Sequence, residues 1–91
     1  MIPNWVIRNV RYVEDYKVEL WFADGLQAVV DLESELYGPM FEPLKDLDKF
    51  RLLSFSDELG TIFWPNGADL APELLYELAL HANGGRLQEA R

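Results

Sequence analysis

The chain has no cysteine. Without thiols it has neither a disulfide framework nor thiolate ligands for a metal, so packing must hold the fold. A reducing compartment, the cytoplasm, is the expected location. Histidine is almost absent as well. His81 stands alone, and one imidazole without cysteine does not make a zinc site. Base is scarce: eight Lys and Arg stand against sixteen Asp and Glu, a formal net charge of −8. A field of that sign repels phosphate backbones, so direct nucleic-acid binding is not expected. No apolar run approaches the roughly 20 residues of a membrane-spanning helix. Met1-Ile2-Pro3-Asn4 does not open on the basic-then-apolar pattern of a secretory signal. Repeats, low-complexity tracts and linkers are missing too.

What the chain does have is apolar material. The hydrophobic fraction is 49%, with three Trp, four Tyr and five Phe. That excludes disorder, which needs low hydrophobicity. Ninety-one residues suit one domain with a thin core. We expect a single α+β domain over residues 1–83 and a flexible tail over 84–91.

The first half reads as an antiparallel three-stranded meander, about 6–13, 17–22 and 26–31. Val18, Leu20 and Phe22 alternate with Lys17, Glu19 and Trp21, the period-two pattern of a half-buried strand. A two-residue Asp24-Gly25 turn would set Phe22 opposite Gln27 and mix the faces. A three-residue Ala23-Asp24-Gly25 loop pairs Phe22 with Leu26, Leu20 with Ala28 and Val18 with Val30, all apolar. The same test on Glu14-Asp15-Tyr16 as a three-residue loop pairs Tyr12 with Val18 and Val10 with Leu20. The opposite face then sets Arg11 against Glu19 and Lys17 against Asp31. Tyr16 fits such a loop poorly.

Residues 32–50 predict an irregular stretch with short helical pieces. Gly38-Pro39 ends the first of these, and Phe41, Leu44, Leu47 and Phe50 recur every third residue, pinning the segment over the core. A second hairpin is expected at 52–56 and 61–64, with Asp57-Glu58-Leu59-Gly60 as its turn, Phe55 opposite Ile62 and Leu53 opposite Trp64. Pro65-Asn66-Gly67 ends that strand in a turn, which proline pre-sets and in which asparagine and glycine tolerate the left-handed region. Asp69 is expected to cap the last helix, 72–82, with Pro72 in its first turn. That helix is polar only at Glu73, Glu77 and His81 and apolar elsewhere, well beyond the usual stripe of about 100°.

Catalytic chemistry has little support. No serine or acid stands at a recognised spacing from His81, and Glu77 makes an i,i+4 surface pair with it. Asp46-Leu47-Asp48 resembles the start of a calcium loop, but Arg51 occupies the position that demands glycine. The glycines form no phosphate-cradling pattern. No catalytic residue, metal or cofactor is expected.

Two features go beyond ordinary packing. A helix apolar on nearly all sides must be covered on nearly all sides, so Tyr76 and Leu80 are candidate contacts with a second chain. Coverage by the tail or by the 41–50 segment is the other reading. Trp21 falls on the outer sheet face near Asn9 and Gln27. It is either a binding residue or one covered by the second hairpin or a helix.

The stretch Thr61-Ile62-Phe63-Trp64-Pro65-Asn66-Gly67-Ala68-Asp69-Leu70-Ala71-Pro72-Glu73-Leu74-Leu75-Tyr76 resembles the signature of a bacterial family catalogued as domain of unknown function 2442. Val18-x-Leu20-x-Phe22-x-Asp24-Gly25, Val30-Asp31-Leu32 and Phe41-x-Pro43-Leu44-x-Asp46 extend the resemblance over nearly the whole chain. It implies no catalytic residues. It does imply a genomic setting, since such domains stand alone or joined to a helix-turn-helix segment, often beside another small protein. That arrangement is similar to toxin–antitoxin operons. The sequence therefore points to a non-enzymatic interaction or regulatory module, antitoxin-like, with a homodimeric or nearby-encoded partner. The competing reading is a small-ligand-binding domain or enzyme with a cleft near Trp64, Asn66 and Asp69.

Overall fold

Alternation of large apolar residues with charged ones drives the first half of the chain into sheet. The computed structural model describes residues 5–82; the expected tail at 84–91 lies outside them. Strands β1 (Ile7–Glu14), β2 (Lys17–Phe22) and β3 (Gln27–Asp31) form an antiparallel meander in the order β1-β2-β3. Val18, Leu20, Phe22, Leu26, Ala28 and Val30 are all buried on its inner face.

The β2–β3 register is the one the sequence dictates: Val18 opposite Val30, Leu20 opposite Ala28 and Lys17 opposite Asp31. The loop has three residues. Phe22 N–H donates to Leu26 C=O, and Gly25 N–H donates back to Phe22 C=O. Gly25 supplies a positive φ of 96°, which costs glycine nothing.

The β1–β2 connection differs from expectation. Val10–Leu20, Arg11–Glu19 and Tyr12–Val18 pair as predicted, but Glu14 pairs with Lys17 and the register shifts between Tyr12 and Glu14. The turn is thus two residues, Asp15-Tyr16, with Asp15 at φ 47° and a bulge at Val13. The reason is Tyr16, which is not a loop residue in chemical terms. Its ring meets Phe50 edge-on at 5.3 Å, and its hydroxyl donates to Lys45 C=O. The bulge turns it inward.

Between sheet and helix the chain runs through two 3₁₀ turns, Glu33–Glu35 and Glu42–Lys45, and one short helix, α1 (Leu47–Phe50). The Asp46 side chain caps α1 by accepting Asp48 N–H. The break at Asp46 also explains why the three-residue spacing is only partly a core pattern: Leu44 and Phe50 are buried, whereas Leu47 is exposed.

The second hairpin pairs β4 (Ser54–Ser56) with β5 (Thr61–Phe63), Phe55 opposite Ile62 across the predicted four-residue turn. Both strands are shorter than expected. Leu52 is exposed, and Trp64 pairs elsewhere. The hairpin abuts β1, where Ile7 N–H donates to Gly60 C=O. Helix α2 (Pro72–Ala82) has the predicted bounds and packs on β3 through Leu75 and Ala79, both fully buried.

The centre of the molecule is Trp64, wholly buried, its indole N–H donating to Phe50 C=O. Phe41 and Phe50 lie 6.2 and 5.7 Å from it, and Phe50 also meets Tyr12 and Tyr16. Such ring pairs each add about 0.5–1.5 kcal/mol beyond area burial. This aromatic cluster ties meander, middle segment and second hairpin together. Among the described residues, no buried side-chain nitrogen or oxygen lacks a partner.

Candidate functional site

The Trp64–Ala68 segment is built like the β2–β3 loop. Trp64 N–H donates to Ala68 C=O, Gly67 N–H donates to Trp64 C=O, and Gly67 sits at φ 91°. The middle residue serves both loops alike. Asn66 Oδ1 accepts Ala68 N–H at 3.0 Å, as Asp24 Oδ1 accepts Leu26 N–H at 2.9 Å. Phe22-Ala23-Asp24-Gly25-Leu26 and Trp64-Pro65-Asn66-Gly67-Ala68 therefore encode one turn twice, an aromatic entering and an Asx-Gly pair closing it. Beyond the second, Phe63 bridges Asp69.

This geometry separates the residues of the expected cleft. Trp64 faces the core. The Asn66 amide donates to Met40 C=O at 3.0 Å, tying the turn to the middle segment. Pro65 and Asn66 help line a groove of about 420 Å³ with Pro43, Leu44, Lys49 and Leu52. Asp69 is exposed in its bridge and does not line that groove. Nor does it sit at the helix cap: Ala71 directly precedes Pro72, and its carbonyl accepts Leu74 and Leu75 N–H.

The α2 surface carries the other candidates. Tyr76 is half-buried. Its ring meets Phe22 edge-on at 5.1 Å, and its hydroxyl donates to Asp24 Oδ2. One carboxylate thus closes the β2–β3 loop and anchors the helix. The hydrogen bond to Asp24, together with burial and the carboxylate charge, pushes the Tyr76 phenol up to about 12. Leu74, Leu78 and Leu80 are likewise half-buried against the core. The domain itself thus meets much of the helix's demand for cover. Among the described residues, what stays open is a depression of about 490 Å³ lined by Trp5, Glu73, Leu74, Tyr76, Glu77 and Leu80. Residues 73, 76, 77 and 80 share one helix face. Trp5, which sequence reasoning passed over, forms the opposite wall. It stands outside any periodic segment and meets α2 only through the tertiary fold.

Trp21 is half-buried on the outer sheet face with Asn9 and Gln27 as its cross-strand neighbours, as the register demands. Beside it runs a polar ladder. Arg11 donates to Glu19 Oε1 through Nε and Nη2, and Gln27 donates to Glu19 Oε2 at 2.7 Å. The Gln27 hydrogen bond, then that of Arg11, holds the Glu19 carboxyl below its usual range. His81 is exposed near the end of α2. Among the described residues, no group of histidine and carboxylate side chains is placed to hold a metal ion, and no helix is long and apolar enough to cross a membrane.

A family model described as "Protein of unknown function (DUF2442)" matches residues 7–81. The chain belongs to this family. No curated protein and no solved structure matched it. The DUF2442 span begins at the first residue of β1 and stops one residue short of the end of α2. It thus takes in the meander, the aromatic cluster, both Asx-Gly loops and the helix face of the depression. Trp5 lies outside it.

Proposed function

We propose that this DUF2442 chain is a non-enzymatic protein-interaction or regulatory module in the cytoplasm, the antitoxin-like member of a small two-gene pair. The observation that carries this reading is the α2 depression. An apolar floor on a well-anchored helix, rimmed by carboxylates, is the anatomy of a protein-contact surface. The side chains with the best hydrogen-bond geometry support it indirectly. Asp24, Asp46, Asn66 and Thr61 each close a turn, cap a helix or tie two segments of the chain, which leaves them committed to structure. A small-ligand site draws support from the groove at Pro65 and Asn66, but two of its three expected residues, Trp64 and Asp69, stand apart from that groove.

The test is co-expression with the product of the adjacent gene. A complex that survives affinity purification and gel filtration is expected. Purified components that fail to associate at micromolar concentration would contradict the proposal in this form.

A further inference from the structure

Lysine and arginine are unevenly spread along the sequence. Lys17 and Lys45 bracket a stretch with no lysine or arginine, and Arg51 and Arg86 bracket another. β3 and the first 3₁₀ turn lie in the first stretch and α2 in the second. Since α2 packs on the inner face of β3, this side of the molecule is acidic: it presents Asp24, Glu73 and Glu77, whereas Asp31 lies with Lys17 on the outer face, and no lysine or arginine stands among the described residues of β3 or α2. The described bases sit on β1, on β2 and from Lys45 to Arg51. The Trp5–α2 depression opens on the acidic side, with Leu74, Tyr76 and Leu80 as apolar floor and Glu73 and Glu77 as exposed rim.

We propose that this depression seats a basic amphipathic segment of a partner protein, its apolar side chains on Trp5, Tyr76 and Leu80 and its lysines or arginines against Glu73 and Glu77. The inference rests on the interaction-module reading and names the surface and the chemistry of the partner. Charge decides between occupants. A second copy would bring the same carboxylates face to face, and like charges across an interface are costly. A nucleic acid is repelled outright. The chain's own residues 83–91 hold a single large apolar side chain, Leu87, too little to cover a floor made of Trp5, Leu74, Tyr76 and Leu80. An apolar floor without a charged rim would accept any hydrophobic segment; the rim restricts it to a basic one and speeds the encounter.

The probe is a helical peptide of leucine and lysine in amphipathic order, with two controls. One has glutamate in place of lysine, and the other has the same composition in scrambled order. Amide chemical shifts of the full chain are followed during titration. The lysine peptide should perturb Trp5 and residues 73–80 and should weaken steeply with salt; neither control should bind there. Glu73→Lys with Glu77→Lys should weaken binding by about ten-fold or more, and Trp5→Ala should weaken it while leaving the circular dichroism spectrum unchanged. Equal binding of the scrambled peptide, shifts centred elsewhere, or a self-dimer in sedimentation that uses α2 would overturn the proposal. A genomic partner that binds wild type and the double charge reversal equally well would also overturn it while leaving the interaction-module reading intact. A genomic partner that fails to bind at all would instead remove that reading.

Discussion

Single side chains in this protein are chosen for where the backbone must go. Gly25 and Gly67 hold positive φ in twin turns, and a Cβ at either meets no close contact, the nearest atom being Met40 Cε at 3.7 Å from Gly67. The cost of Gly→Ala is thus conformational strain without collision. We expect each variant to lose about 1–2 kcal/mol of unfolding free energy, with near-equal losses in urea titrations because the turns are the same. Sequence reading caught the first turn because five paired residues follow it. The second was read as a turn that ends a strand but not as a copy of the first, since a single bridge, Phe63 to Asp69, leaves no alternation from which to set its register. Tyr76 carries a pH signature. Its phenol is raised from 10.0 to about 12, so the protonated form is favoured by folding. That contribution is complete below pH 10, falls as pH climbs from 10 toward 12, and is gone above. Tyr76→Phe should lack this alkaline loss, read as the difference between wild-type and variant stability across that interval.

Among the elements, α2 was the most legible and its cap the least. Its bounds follow from Pro72 and the apolar run, yet Asp69 sits too far upstream to reach the first N–H groups. Ala71 holds the cap position, and the following proline biases it toward the extended conformation a cap needs. Ala71→Ser should therefore stabilise the protein by about 0.5–1 kcal/mol, raising the thermal midpoint, whereas Asp69→Ala should leave the helix unaffected. In the sheet, Arg11 and Glu19 form the ion pair set by the register, whereas Lys17, opposite Asp31, turns its ammonium to Glu14; the one sign of the bulge at Val13 is that Tyr12 and Val13, both apolar, break the alternation. The Arg11–Glu19–Gln27 ladder predicts an acid limb. Glu19 is held below its ordinary value of 4.5, so its contribution is present above that pH and is lost as pH falls through the lowered value. Glu19→Gln should flatten the stability profile below pH 4.5 relative to wild type.

For the molecule as a whole, the sequence announced an excess of acid and an over-apolar helix but not that the two coincide. Their coincidence depends on α2 crossing β3 and on Trp5 meeting the helix, contacts between residues far apart in the chain. The fold answers much of the helix's demand for cover from within, through Phe22, Asp24 and the aromatic core. Among the described residues it leaves one face, bounded by Trp5, Tyr76 and Leu80, with Glu73 and Glu77 on its rim and no lysine or arginine on α2. Surface burial at that face is the claim on which the functional account stands. Hydrogen–deuterium exchange on the purified complex with the neighbouring gene's product, compared with the free chain, reports it directly. The account predicts added protection along α2 between Leu74 and Leu80 and little change in β1; protection confined to β1, β2 or the Pro65–Asn66 turn, with α2 exchanging as in the free chain, would contradict it.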